Sequence, residues 1–275
     1  MKKKITIGLA AILLATGLLT GCSKSSPSAS TPNGTPASHV LKVGAAVVPH
    51  SEILNFIKPK LKEQGIDLNV VVLDDEGQLN PALAERQIDA NYFQHVPYLE
   101  SVSKEKGYSF AVASKVHVEP IGFYSQKHKS TSLPDKATIA IPNNPSNEYR
   151  ALVLLQKNGL IKLREGIANY QATPRDITEN PKQLKFVEVD AAQLTRTLPD
   201  VDGAVINTNY VLEAKLDPNS ALFREEADSP YANVVVVRKG DETREDIKQL
   251  DAALRSPEVK KFLQEKYQGA VVPAF

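Results

Sequence analysis

Residues 40–73 read VLKVGAAVVPHSEILNFIKPKLKEQGIDLNVVVL. Val40–Val48 is a short β-prone run, Ser51–Gln64 carries Ile53, Leu54, Ile57 and Leu61 at helical spacing, and Leu68–Leu73 is a second apolar strand. Strand, helix and strand in that order form a βαβ unit. Strand-like runs recur at Thr138–Ile141, Leu184–Val189, Gly203–Ile206 and Asn233–Val237. Helical patterns fall at Glu148–Asn158, Ala191–Leu198, Thr208–Ala214, Arg244–Arg255 and Pro257–Tyr267. This alternation predicts an α/β protein with parallel-rich sheets. Ligands of open α/β sheets sit beyond the carboxyl ends of strands, so the loops after these runs carry the search for function.

Upstream of the βαβ unit the chain changes character. Lys2, Lys3 and Lys4 precede an uncharged apolar run, Ile5–Leu19, which is shorter than the ~20 residues a spanning helix needs and ends in Leu19-Thr20-Gly21-Cys22. This layout predicts a signal peptide over residues 1–21, cleaved before Cys22. The tetrapeptide resembles the lipobox of bacterial lipoproteins, which implies lipidation of Cys22. Cys22 is also the only cysteine, so no intramolecular disulfide forms. Several acyl chains, at about 0.8 kcal/mol per buried CH₂, make such an anchor effectively permanent. Residues 23–38, rich in Ser, Pro, Thr and Ala, read as a flexible tether.

The whole chain has 33 basic and 32 acidic residues; the three lysines of residues 1–21 leave residues 22–275 with 30 against 32, a formal −2. That balance argues against a nucleic-acid partner. A hydrophobic content of 42% supports a substantial core in one large or two small domains.

Enzyme signatures are missing from the sequence: there is no Gly-x-Ser-x-Gly elbow, no phosphate-cradling glycine loop and no His-Glu-x-x-His. The five histidines are dispersed, although His50, His95, His117 and Glu119 could converge on a metal ion. Within Asp89–Tyr98, Phe93 and Tyr98 could wall a pocket while Gln94 and His95 supply hydrogen bonds; the two rings serve equally well as core. Pro142–Arg150 is a turn opening a helix, where unpaired N–H groups and the Arg150 fork suit a carboxylate. Its alternative is an N-cap by Ser146 with Arg150 on a solvated face. Asn207 and Asn233 stand where a strand meets a loop, and an amide offers donor and acceptor together, as a zwitterion requires; turn formation is the other role open to them.

These segments resemble the NlpA/MetQ family of methionine-binding lipoproteins, the substrate-capture components of ABC importers, over roughly Leu41 to Phe275. The landmarks are Pro49-His50-Ser51-Glu52-Ile53-Leu54, Asp89–Tyr98, Val116–Gly122, Ala140–Asn147, Leu154–Ile161, Val205–Tyr210 and Ser229–Asn233. The resemblance implies a two-lobed periplasmic-binding-protein fold, type II-like, each lobe a mixed sheet flanked by helices, with the ligand in the cleft. One lobe would comprise 39–120 plus 229–275 and the other 121–228. Carried over by position, Phe93, His95 and Tyr98 line the pocket, Arg150 takes the ligand carboxylate, and Asn147, Asn207 and Asn233 take polar groups. The implied partners are L-methionine or a related amino acid, an ABC permease with its ATPase, and the membrane through the lipid, with no cofactor and no catalysis. A methionine-containing dipeptide receptor, a lipoprotein hydrolase and an adhesin are the alternatives. The sequence departs from the family pattern at Asp74–Gln78, where Glu76 occupies the place of a ligand-contacting tyrosine, and at Tyr149, where glycine is usual.

Overall fold

The computed structural model describes residues 39–168, 170–226 and 229–275. The expected signal peptide, Cys22 and the tether lie outside these residues. The chain runs through β1 (His39–Ala45), α1 (His50–Glu63), β2 (Ile66–Val72), α2 (Leu79–Ala84), β3 (Ala90–His95), α3 (Val96–Lys106) and β4 (Phe110–Val118). There follow β5 (Gly122–Tyr124), β6 (Thr138–Pro142), α4 (Pro145–Lys157), β7 (Lys162–Leu163), β8 (Ile177–Glu179), β9 (Lys185–Val189), α5 (Leu194–Thr197), β10 (Gly203–Ile206), α6 (Thr208–Glu213) and β11 (Phe223–Arg224). The last elements are β12 (Ala232–Arg238), α7 (Glu245–Leu254), α8 (Pro257–Tyr267) and β13 (Val272–Pro273).

Two sheets define two lobes. The first has the order β13-β4-β12-β3-β1-β2 and the second β11-β5-β10-β6-β9; β7 and β8 form a separate hairpin. The opening βαβ unit is present: β1 pairs in parallel with β2 on one side and β3 on the other. Ile53, Leu54, Ile57 and Leu61 of α1 are buried against Leu41 and Val43, while Phe56 on the opposite side of the helix is exposed and stacks on Phe262.

Each sheet is covered on both faces. In β12, Val235 and Val237 enter the core under α1, α7 and α8, whereas Val234 and Val236 enter the core with Leu79 and Leu83 of α2 and Leu99 of α3. A strand buried on both faces reads as a continuous apolar run, hence Val-Val-Val-Val at 234–237. The second lobe repeats the plan. Ile139, Ile141 and Val205 pack with α4, and Ala140, Ala204 and Ile206 with Leu194, Leu198 and Val211.

The sheets are mixed rather than parallel-rich. β12 is antiparallel to both β3 and β4, and β5 is antiparallel to β10. The reason is topological: β12 re-enters the first lobe from the cleft, so it must run away from the edge toward which β3 runs. Asp89–Tyr98 is likewise not a loop after a strand. It is β3 and the first turn of α3, and all six residues of β3 are buried, which erases the alternation that would reveal a strand. The Ala191–Leu198 stretch is a 3₁₀ turn leading into the short α5. No helix among the described residues is long and apolar enough to cross a membrane.

Gly203 in β10 shows how tightly the second lobe is packed. A Cβ there would lie 2.2 Å from the buried Phe123 ring, which stacks on Phe223 with centroids 4.8 Å apart. Gly203→Ala is expected to destabilise the fold by about 1–3 kcal/mol through overpacking, measured as a lower urea midpoint at unchanged m-value.

Candidate functional site

A cavity of about 590 Å³ is lined by the loops that leave the parallel strands of both sheets. From the first lobe come Asp74–Gly77 after β2 and Phe93–His95 at the end of β3; from the second come Asn143 and Asn144 after β6, Asp190 after β9 and Asn207 after β10. Its size falls in the ~300–1,000 Å³ range of small-molecule sites. All seven residues singled out from the sequence border it: Phe93, His95, Tyr98, Asn147, Arg150, Asn207 and Asn233.

The start of α3 sets the polarity of this cavity. Tyr98 N–H, a first-turn donor without a helical acceptor, donates to His95 Nδ1 at 3.1 Å. Nδ1 is therefore the acceptor nitrogen and Nε2 carries the proton. His95 Nε2 donates to Asn147 Oδ1 at 3.0 Å, across the cleft. Asn207 Nδ2 donates to the same oxygen at 3.0 Å, which leaves Asn207 Oδ1 buried without a partner among the described residues. Burial, reinforced by the nearby Arg150 charge, pushes the His95 pKa down to about 3, so the ring stays neutral.

Asn144, not Ser146, caps α4: its side chain accepts from Asn147 N–H at 3.1 Å. Arg150 is 2% exposed, which removes the solvated-face alternative. Its guanidinium is already engaged. Nε and Nη2 donate to the two carboxylate oxygens of Glu225 at 2.9 and 2.5 Å, Nη2 also donates to the Glu119 carbonyl at 2.7 Å, and the group lies 4.2 Å over the Tyr231 ring. Nη1 makes no hydrogen bond among the described residues, so one edge of the fork is open and the other is an internal salt bridge.

Glu76 is held by the opposite lobe. Its carboxylate accepts from Asn209 Nδ2 at 2.7 Å and from the Tyr210 hydroxyl at 3.0 Å, both on α6. It is therefore a polar clasp across the cleft, not an unpaired carboxylate in an apolar wall. Burial within the closed cleft raises its pKa to about 8, with Glu119 and Glu213 pushing the same way against the two hydrogen bonds, although part of the side chain still borders the cavity. Tyr149 stands away from the cavity, edge-on to Tyr170 with centroids 5.5 Å apart. Gln94 lines the cavity, but its amide bonds to Asn80 and Asn91. The aromatic wall consists of Phe93, Tyr98 and Tyr210, with Phe93 edge-on to Tyr98 at 6.0 Å.

His50, His117 and Glu119 do converge, with ligand-capable atoms within 4.8 Å of one another. His95 is not part of that group; both of its nitrogens are committed elsewhere. Asn209 and Tyr210 also border the cavity, and no motif in the sequence marks them. Their signal was position alone, two and three residues beyond Asn207 on the short helix that follows β10.

The chain matches the family model described as NlpA lipoprotein over residues 41–275. It is 40% identical over 278 residues to the methionine-binding lipoprotein MetQ of Bacillus subtilis, covering 98% of each chain. It is also 40% identical over 237 residues to the D-methionine-binding lipoprotein MetQ of Salmonella typhi, covering 84% of this chain and 87% of that one. A nutrient-binding protein from Burkholderia cenocepacia, solved bound to methionine, superimposes with a TM-score of 0.83 at 47% identity, over 86% of this chain and all of the other.

Arg150→Ala strands the carboxylate of Glu225, and loss of one partner of a buried pair costs about 3–5 kcal/mol; Arg150→Ala with Glu225→Ala is expected to recover part of that loss, read by chemical denaturation. Glu76 ionises near 4.5 in the unfolded chain and near 8 in the fold. Between those values the fold retains a proton the unfolded chain has shed, so its contribution lowers stability as pH rises from 5 to 8. Glu76→Gln is expected to flatten this component in thermal unfolding followed across that pH range. By sequence and by fold, the chain belongs to the NlpA lipoprotein family.

Proposed function

We propose that the cleft binds a free amino acid, L-methionine, and that the chain is the lipid-anchored solute-binding component of an ABC importer, handing its ligand to a permease and its ATPase. The observation that carries this reading is the complementary set of open polar atoms. Asn207 Oδ1 is an unpaired buried acceptor suited to an α-ammonium. Arg150 Nη1 and the Nδ2 groups of Asn147 and Asn233 are donors suited to an α-carboxylate. The rings of Phe93, Tyr98 and Tyr210 suit a thioether, whose sulfur gains about 0.3–1.5 kcal/mol near a ring. The methionine-binding relatives support the same assignment.

Residues 39–120 with 229–275, and residues 121–228, act in this reading as the two bodies that close on the solute, and Cys22 keeps the receptor beside its permease. The receptor makes and breaks no covalent bond in its ligand. A methionine-containing dipeptide is the second reading, favoured by a cavity of about 590 Å³ that exceeds what one free amino acid fills.

Mass spectrometry of the solute released on denaturing the purified protein is expected to identify methionine, and calorimetry with stripped protein to show saturable heat. At a free concentration of about 100 Kd, methionine should add about 2.7 kcal/mol of stability. A released dipeptide would establish the second reading. No amino acid or peptide released, together with no heat from L- or D-methionine, would overturn both.

A further inference from the structure

On the first-lobe side of the cavity, which Glu119 itself borders, lies a buried group of side chains that the solute-binding assignment does not use. His50 stands at the first turn of α1, Tyr92 in β3, His117 in β4, and Glu119 just beyond β4. Asn233 of β12 lies in register between His95 of β3 and His117 of β4, so the cavity-lining amide and the buried cluster meet at one row of the sheet.

We propose that His50 is a positioning residue for the solute: its Nε2–H holds Oδ1 of Asn233 and so turns Nδ2 of Asn233 toward the ligand. Glu119, fixed by His117, whose ring Tyr92 orients in turn, holds His50 in the tautomer that does this. The role rests on the reading that an amino acid occupies the cleft.

His50 Nε2 lies 3.0 Å from Asn233 Oδ1 and 3.4 Å from Glu119 Oε1. His50 Nδ1 is buried with no partner among the described residues. A buried N–H without an acceptor is rarer and costlier than an acceptor left with a free lone pair. The proton therefore sits on Nε2, between two oxygen acceptors, and the Asn233 atom facing it is the carbonyl oxygen. The donor end of that amide is left for the cavity Asn233 borders. On the other side, the Tyr92 hydroxyl donates to His117 Nδ1, and His117 Nε2–H donates to Glu119 Oε1 at 2.7 Å. The rings lock one another: His50 meets Tyr92 edge-on at 4.8 Å and His117 at 5.1 Å. Burial lowers the His50 pKa to about 4 and that of His117 to about 3, so each carries one proton at neutral pH.

His50, His117 and Glu119 have the donor set of a divalent-cation site. A metal on Nε2 would move the His50 proton to Nδ1, where it has no acceptor. Metal-bound histidines almost always donate that second N–H, so the positioning role fits the observed contacts better.

A double-mutant cycle on the full chain tests it, with methionine affinity read by calorimetry and folding checked by thermal unfolding. His50→Leu is expected to weaken binding about tenfold or more. In an Asn233→Ala background the same change should alter affinity less than about twofold, because the route through Asn233 is already cut. His50→Gln, whose amide N–H can reach the same oxygen, should restore affinity to within about threefold of the unaltered chain. Additive losses would overturn the proposal, as would a folded His50→Gln variant no better than His50→Leu. Stoichiometric binding of zinc ion alone, abolished by His117→Ala, would reassign the cluster as a metal site. Failure of the unaltered chain to bind any amino acid would instead overturn the cleft reading on which the role depends.

Discussion

The backbone N–H of Tyr98 needs an acceptor because it lies in the first turn of α3, and His95 Nδ1 provides it. From that bond the orientation of much of the cleft follows without further choice. His95 must donate from Nε2, Asn147 must present its oxygen to receive that proton, Asn207 must approach the same oxygen with its nitrogen, and Asn207 Oδ1 must be left over. A helix end, which every α/β protein has to cap, thus fixes the donor and acceptor pattern that a zwitterion would meet. The capping histidine is kept neutral by burial and by Arg150, and a protonated ring could not accept from Tyr98.

The bond from His95 Nε2 to Asn147 ties the lobes together, since His95 belongs to β3 of the first sheet and Asn147 to α4, which packs on the second. Glu76 repeats the arrangement from the opposite rim, reaching from the loop after β2 to Asn209 and Tyr210 on α6. Arg150 of α4 donates to the carbonyl of Glu119, next to the crossing between β4 and β5. Each contact pairs the end of a strand, or the loop just beyond it, in one lobe with a helix of the other. They are polar and directional, so they specify one closed geometry more sharply than apolar contact between lobes would.

The opening βαβ unit was legible because α1 shows the sheet one apolar stripe and solvent the rest. The α/β class followed from the alternation of such units, and the lobed arrangement from the family resemblance. β12 was legible as the apolar run Asn233–Val237, whereas β3 was harder, because it buries Asn91, Gln94 and His95 in polar networks that mimic a loop composition. The antiparallel placement of β12 is set by the excursion through the second lobe, which no local pattern encodes. At the site, residue types were readable but their commitments were not. Arg150 looked like a free fork, yet Glu225, 75 residues away, occupies one edge of it; Glu76 looked like a misplaced charge, yet Asn209 and Tyr210, more than 130 residues away, satisfy it.

What the contacts leave unsatisfied bears most directly on how such a cleft would work. A buried acceptor without a partner costs about 1–3 kcal/mol, and Asn207 Oδ1 carries that cost in the closed cleft. A solute that supplies an N–H to Oδ1 would remove that cost, and one that does not would leave it in place. Under the proposed amino-acid reading, such a solute favours the form in which Asn207 is buried over any form in which this oxygen reaches water. The salt bridge of Arg150 with Glu225 works in the same direction. It compensates the buried guanidinium within the protein, and under the proposed reading Nη1 is the nitrogen left to meet a ligand carboxylate.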